Sequence, residues 1–162
     1  MKSDDPELEK TRQEMIDRAQ KMDALTLSVL RTHLLAEQCM NDYITASGLK
    51  KRWLKKSFSQ KIKKCKQLSK AESSDPLWDV LTTANNLRNA IAHSLEVDDV
   101  KEKSDQLSEK YFTCLTEEQM ADIKDQSDDF IVMSACSTCA GFIATLLSRL
   151  GGGTSAEAAK RT

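Results

Sequence analysis

The residues best suited to chemistry lie in one short stretch, Leu87-Arg88-Asn89-Ala90-Ile91-Ala92-His93. Arg88 supplies a permanent positive charge in a planar fork that can hold an anion through two parallel hydrogen bonds. His93 carries the one side-chain type whose ordinary pKa, about 6.5, lets it take or give a proton near neutral pH. Asn89 can donate and accept hydrogen bonds beside them. With Asn85 and Asn86 they form a polar group in an otherwise regular, apolar helical pattern. Three asparagines within five residues lower helix propensity. That cost suggests a tertiary return, although Asn can also serve as a plain hydrogen-bonding surface residue.

Helical geometry sets a condition on this group. At about 100° per residue, Asn86, Asn89 and His93 share one narrow stripe, while Arg88 lies at the border of the apolar face, about 140° round from His93. In a straight helix the two side chains do not converge on one ligand. They meet if the helix unwinds near Ala92, or if two copies of the chain contribute to a shared cleft. The sequence contains no Gly-rich phosphate loop, metal-ligating cluster or Ser/His/Asp constellation, so no cofactor is expected.

The elements that must position the group read as helices. Asp75-Pro76 is a start signal, and Leu77, Val80, Leu81, Ala84, Leu87 and Ile91 then recur at steps that place them on one buried face. An equivalent signal at Asp5-Pro6 opens a long helical pattern that runs to Ser47-Gly48, where glycine can close it. A break near Asp23 is expected there, because so long a helix is unusual in a small globule. The first turns, rich in Glu, Lys and Arg, would project beyond the core. Between these helices, Trp53, Leu54, Phe58, Ile62, Cys65 and Leu68 mark an apolar stripe, with lysines round the rest of the circumference. Residues 95–110 read as a polar excursion. Thr116-Glu117-Glu118-Gln119 has capping-box spacing, and a last helix follows from Phe130 to Leu150, ended by Gly151. The expected fold is all-α: a four- to five-helix up-and-down bundle in a single domain over residues 1–150, with residues 151–162 a flexible tail.

Bulk properties narrow the function classes. The net charge is −1, yet the sign is uneven. Between Tyr43 and Ala71 there are ten basic residues and no acid: Lys50, Lys51, Arg52, Lys55, Lys56, Lys61, Lys63, Lys64, Lys66 and Lys70. Between Leu95 and Asp129 twelve acids face four bases. The basic stretch can draw phosphate backbones or an acidic partner, or be the solvated face of a helix. Five cysteines, an odd number, read as reduced thiols. Cys136-Ser137-Thr138-Cys139 lacks a second ligand pair for zinc and lies in an apolar helical stretch, so it is read as core. Trp53 and Trp78 are expected as core anchors, and His33 as an ordinary bundle residue. No apolar run approaches the roughly 20 residues that span a bilayer, and the start is polar, so a soluble cytoplasmic protein without a membrane role is expected.

The segment from Leu87 to His93 resembles the R-x4-H signature of the HEPN superfamily (higher eukaryote and prokaryote nucleotide-binding domains), whose members often carry a polar residue after the arginine, as Asn89 does here. The likeness extends to layout over roughly residues 27–95. An early helix reads Leu34-Leu35-Ala36-Glu37-Gln38, a second carries Phe58-Ser59-Gln60-Lys61-Ile62, and the motif helix follows. That arrangement is also similar to the mannitol operon repressor family. The C-terminal third matches only as generic helix.

The resemblance implies one of two functions. The first is a metal-independent endoribonuclease of toxin or defence type, working as a homodimer on RNA. There His93 would move the proton, Arg88 would hold the phosphate, Asn89 would orient it, and Glu37 would assist. Lys50, Lys51, Arg52, Lys55, Lys56, Lys61, Lys63 and Lys64 would draw the substrate. The second is a non-catalytic regulatory or protein-interaction module, with an antitoxin or regulator as partner and Arg88 as a structural donor. A branch with the motif R-x4-H-x-Y fits less well, since Ser94 and Leu95 follow His93.

Overall fold

The computed structural model describes residues 6–93 and 97–158, with side chains throughout except at Arg18, Lys21, Val97 and residues 152–158. Those residues form six α-helices: α1 (Pro6–Ala46), α2 (Phe58–Leu68), α3 (Leu77–His93), α4 (Val97–Phe112), α5 (Glu117–Ile123) and α6 (Asp128–Ala158), with 3-10 turns at Lys51–Lys55 and Lys70–Glu72. The all-α bundle expected from the sequence is present. It has more helices than expected, because the acidic segment after His93 is itself helical. In α4 the buried positions are Val100, Ser104, Leu107 and Tyr111, a stripe within about 60° of arc. A serine in that stripe, and charges on every other face, hide its period from a reading of hydrophobicity alone.

α1 is continuous through Asp23. Its core face begins at Leu25 and runs through Val29, Thr32, Ala36, Met40, Tyr43 and Ile44, whereas the first turns, with Leu8, Met15 and Ile16, are exposed. The end comes where the glycine allows it. Gly48 sits at φ +75° and donates to the Thr45 carbonyl at 3.0 Å, a left-handed closure that costs a side-chain-bearing residue more. Asp5 lies outside the described residues. At α3 the start signal works as read, since the Asp75 carboxylate accepts from the Leu77 N–H at 2.9 Å. The capping box at Thr116 forms with Gln119, and a second one, Ser57 with Gln60, opens α2. α6 continues past Gly151, because glycine lowers helix propensity by about 1 kcal/mol without removing a backbone donor. Residues 159–162 of the expected tail lie outside the described residues.

Contacts along the helices fix their directions. Phe58 stacks on His33, Lys61 reaches Glu37, and Cys65 meets the Met40 carbonyl, so α2 runs parallel to α1. Asn85 lies beside His33, and Leu77 and Trp78 beside Cys139 and Phe142. Thr138 meets Tyr111. Thr32 bonds Cys136, which puts Asn85 near the start of α6 and Trp78 further along it, so α3 runs against α6. Val100 and Ser104 share a cavity with Ser127 and Asp128 while Tyr111 meets Thr138, so α4 runs with it. Strict up-and-down alternation is replaced by returns through the turn before α2 and through α5. α6 packs chiefly on α1 and buries Ile131, Val132, Ala135, Cys136, Cys139, Ala140, Ile143 and Leu146. Asp128–Gly151 is long and apolar enough, by length and composition, to cross a membrane, with a mean hydropathy of 2.0. This corrects the expectation that no such stretch exists: its serines and threonines interrupt the apolar run without lowering the average far. Its apolar face is packed into the bundle.

Candidate functional site

Three elements converge beside the motif. On α1, His33 and Glu37 are four residues apart and so share a face. The N-terminal turn of α2 brings Ser57, Phe58 and Ser59, held there by the Ser57–Gln60 capping box. α3 contributes Asn85, Arg88 and Asn89, again at steps of three and four. Together these residues line a cleft of about 470 Å³. Arg88 donates from Nη1 to the Asn89 Oδ1 at 3.3 Å, and among the described ion pairs none involves Arg88. Arg88 lines the cleft and, among the described residues, is not tied to a carboxylate.

His33 is the side chain that the sequence reading passed over. Its ring stacks on Phe58 with centroids 3.7 Å apart and planes 25° apart. Nε2 lies 3.4 Å from the Asn85 Oδ1. With that oxygen as acceptor, Nε2 carries the proton and Nδ1 is left as the base. Burial pushes the imidazole below its ordinary 6.5; the bond to Asn85 opposes the shift, the nearby Arg88 guanidinium adds to it, and Glu37 opposes it. A neutral imidazole at pH 7 follows, one able to accept a proton.

Glu37 accepts from Lys61 Nζ at 2.6 Å, and the lysine side chain is only 2% exposed. Lys61 was expected on the basic outer face. It lies inside because its position on α2 falls between Phe58, Ile62 and Cys65, which face the core, and the Glu37 carboxylate makes the burial tolerable. Glu37 thus reaches the cleft of Arg88, as the layout suggested, but with its charge balanced.

His93 stands elsewhere. α3 is helical through His93, so no unwinding near Ala92 swings it toward Arg88. The residue is exposed and is absent from the lining of the cleft. Of the two ways in which Arg88 and His93 could meet, only the shared cleft between two copies survives. Arg88, Asn89 and Glu37 are brought together within one chain. Asn85, noted in the polar group of α3, joins them, whereas His33 was missed; its spacing to Glu37 on α1 was the available signal.

Lys50, Lys51, Arg52, Lys55, Lys56 and Lys63 are exposed and Lys64 is half-buried. The cysteines are all free. Burial raises the Cys136 and Cys139 thiols, and pushes Cys65 up to about 12, so these three are inert core groups, as read. Trp78 is a core anchor, 1% exposed, with Nε1 donating to the Glu72 carbonyl. Trp53 is half-buried and packs against the edge of the core.

No protein-family model, curated protein or solved structure matches this chain. What the cleft can do therefore rests on its own chemistry: a guanidinium with no carboxylate partner among the described ion pairs, two asparagine amides and an imidazole pushed below its ordinary pKa, all lining one cleft.

Proposed function

We propose that the chain is a HEPN-like, metal-independent endoribonuclease whose reacting groups are Arg88, Asn89 and His33. The observation that carries this reading is the Arg88 guanidinium, without a carboxylate partner among the described ion pairs, lining the same cleft as the His33 imidazole that burial pushes below its ordinary pKa. Arg88 and Asn89 hold the scissile phosphate. His33 Nδ1 takes the proton of the ribose 2′-hydroxyl as its oxygen bonds to phosphorus. The bond from phosphorus to the 5′-oxygen breaks, and the leaving oxygen takes a proton from solvent. The products are a 2′,3′-cyclic phosphate and a 5′-hydroxyl end. Arg88 offsets the charge that develops on the phosphoryl oxygens.

The test is incubation of the full chain with mixed cellular RNA in EDTA, beside Arg88→Ala, His33→Ala and His93→Ala proteins of verified fold. Cleavage with cyclic phosphate ends, lost in the first two variants, is expected. Retention in His93→Ala places the whole reaction in one chain, and loss there assigns His93 to a cleft shared by two copies. Intact RNA with the wild type defeats the reading.

A second reading, a non-catalytic regulatory or interaction module similar to mannitol repressor proteins, is favoured by one observation. Leu27, Leu30 and Leu34 form an exposed apolar stripe on the solvent side of α1, a face suited to a protein partner. Stable complex formation without RNA turnover, abolished by Leu30→Glu, would establish it.

A further inference from the structure

The outer side of α2 carries a second cleft, of about 500 Å³, unrelated to the Arg88 site in its lining. Its floor comes from Arg52, Trp53 and Lys56 in and just after the 3-10 turn, and its wall from Gln60, Lys63, Lys64 and Gln67. The four wall residues are spaced 0, 3, 4 and 7 along the helix, which puts them on one face. Lys64 Nζ lies 5.2 Å from the centre of the Trp53 ring and donates to Gln67 Oε1 at 3.0 Å. Arg52, Lys56 and Lys63 have no acidic partner among the described ion pairs, and no Asp or Glu occurs between Tyr43 and Ala71 to supply one.

We infer that this cleft binds single-stranded RNA, with a base stacked on Trp53 and the flanking phosphates on Arg52, Lys56, Lys63 and Lys64. Trp53 packs partly against the core yet still lines the cleft, and an aromatic side chain framed by cations is the arrangement that holds an unpaired base and its backbone. Gln60 and Gln67 supply amides that can both donate to and accept from a base edge. An acidic peptide would satisfy the lysines but leave the indole and the glutamines unused. A duplex would keep its bases stacked and out of reach of Trp53. Ser57 lines the Arg88 cleft while its neighbour Lys56 lines this one, so a strand anchored here passes beside the candidate catalytic groups. The inference takes its substrate from the proposed function but needs none of its chemistry.

The experiment is a titration of the full chain with an eight-nucleotide 2′-O-methyl oligouridylate, which cannot be cut through its 2′-position. Binding is followed by tryptophan fluorescence and by anisotropy of a labelled copy of the oligomer. Trp78 is buried, so quenching on binding reports Trp53. Quenching is expected in the wild type, with a log–log salt slope of about −3 for four phosphate contacts. Trp53→Ala should weaken binding roughly 5- to 100-fold. Trp53→Phe keeps a ring, packs in the same place, and should retain most of the affinity. Lys63→Ala should reduce the salt slope by about 0.7. Binding of the oligomer without quenching, or equal affinity in Trp53→Ala protein of verified fold, overturns the inference. So does competition by polyglutamate at equal charge concentration, which would make the cleft an acidic-peptide site. Because the probe is not cleavable, binding with intact cellular RNA sinks the nuclease reading alone, and cleavage without Trp53-dependent binding sinks this one alone.

Discussion

The two clefts on either side of α2 share a sign of charge and little else. At Arg88 the groups are partly buried and tied to one another: His33 to Phe58 and Asn85, Arg88 to Asn89, Glu37 to Lys61. In the cleft of Trp53 the cations Arg52, Lys56 and Lys63 are exposed and have no acidic partner among the described ion pairs. Burial with partners fixes positions and moves proton affinities, at a cost in stability whenever a partner is lost. Exposure without partners leaves charge free to attract a polyanion, screened by salt and nearly neutral for folding. The first cleft is arranged for geometry and the second for capture.

That contrast can be broken at several points. The largest effect should come from Arg88→Ala, which is expected to lower the rate of RNA cleavage by about 10²- to 10³-fold, in single-turnover assays, while capture of an uncleavable strand stays close to wild type. Next is Glu37→Gln, which leaves the Lys61 ammonium buried without its carboxylate. Urea unfolding should show a loss of about 3 kcal/mol, and a Glu37→Gln/Lys61→Met protein should recover most of it. A change confined to activity would mean that Lys61 is not buried as described.

Smaller, but diagnostic, is the response to pH. His33 titrates below 6.5 in the folded chain, so between that lower value and 6.5 the unfolded chain binds more protons. Its contribution to stability is therefore present above pH 6.5 and lost as pH falls through the folded value. His33→Gln should flatten this part of the stability profile. In the nuclease reading, the acid limb of cleavage should likewise fall below 6.5. Smallest of all, Lys56→Ala and Lys63→Ala should each change unfolding free energy by no more than about 0.5 kcal/mol, although both weaken strand binding.

The same contrast explains what could be read from the sequence. The basic cleft was legible as a charge run, because exposure makes charge a property of composition. Its aromatic member was not: Trp53 shares a stripe with Leu54 and Phe58 and packs partly against the core, and only its place in the 3-10 turn at Lys51–Lys55 shows that it also lines the cleft. For the Arg88 cleft, the α3 contribution stood out as polar residues on an apolar helix. His33 and Lys61 looked like a bundle residue and a surface lysine, because nothing local shows that α2 runs parallel to α1 and places Phe58 on one and Glu37 on the other. α3 and its start signal at Asp75 were local and were read correctly. α4 was lost because its buried stripe is narrow and includes Ser104.

The pairing of α1 with α6 has a consequence for synthesis. Among the six helices α1 is made first, and the one on which it packs most extensively, α6, is made last of the six. At roughly 5–20 residues per second, the stretch between Ala46 and Asp128 takes on the order of 4–16 s to translate. Through that interval the Val29, Ala36, Met40 and Ile44 face of α1 lacks its main cover, with α2 and α3 shielding only its C-terminal half. The α1 face is covered in full only once α6 has been made, so the bundle closes late in the synthesis of this segment and not helix by helix.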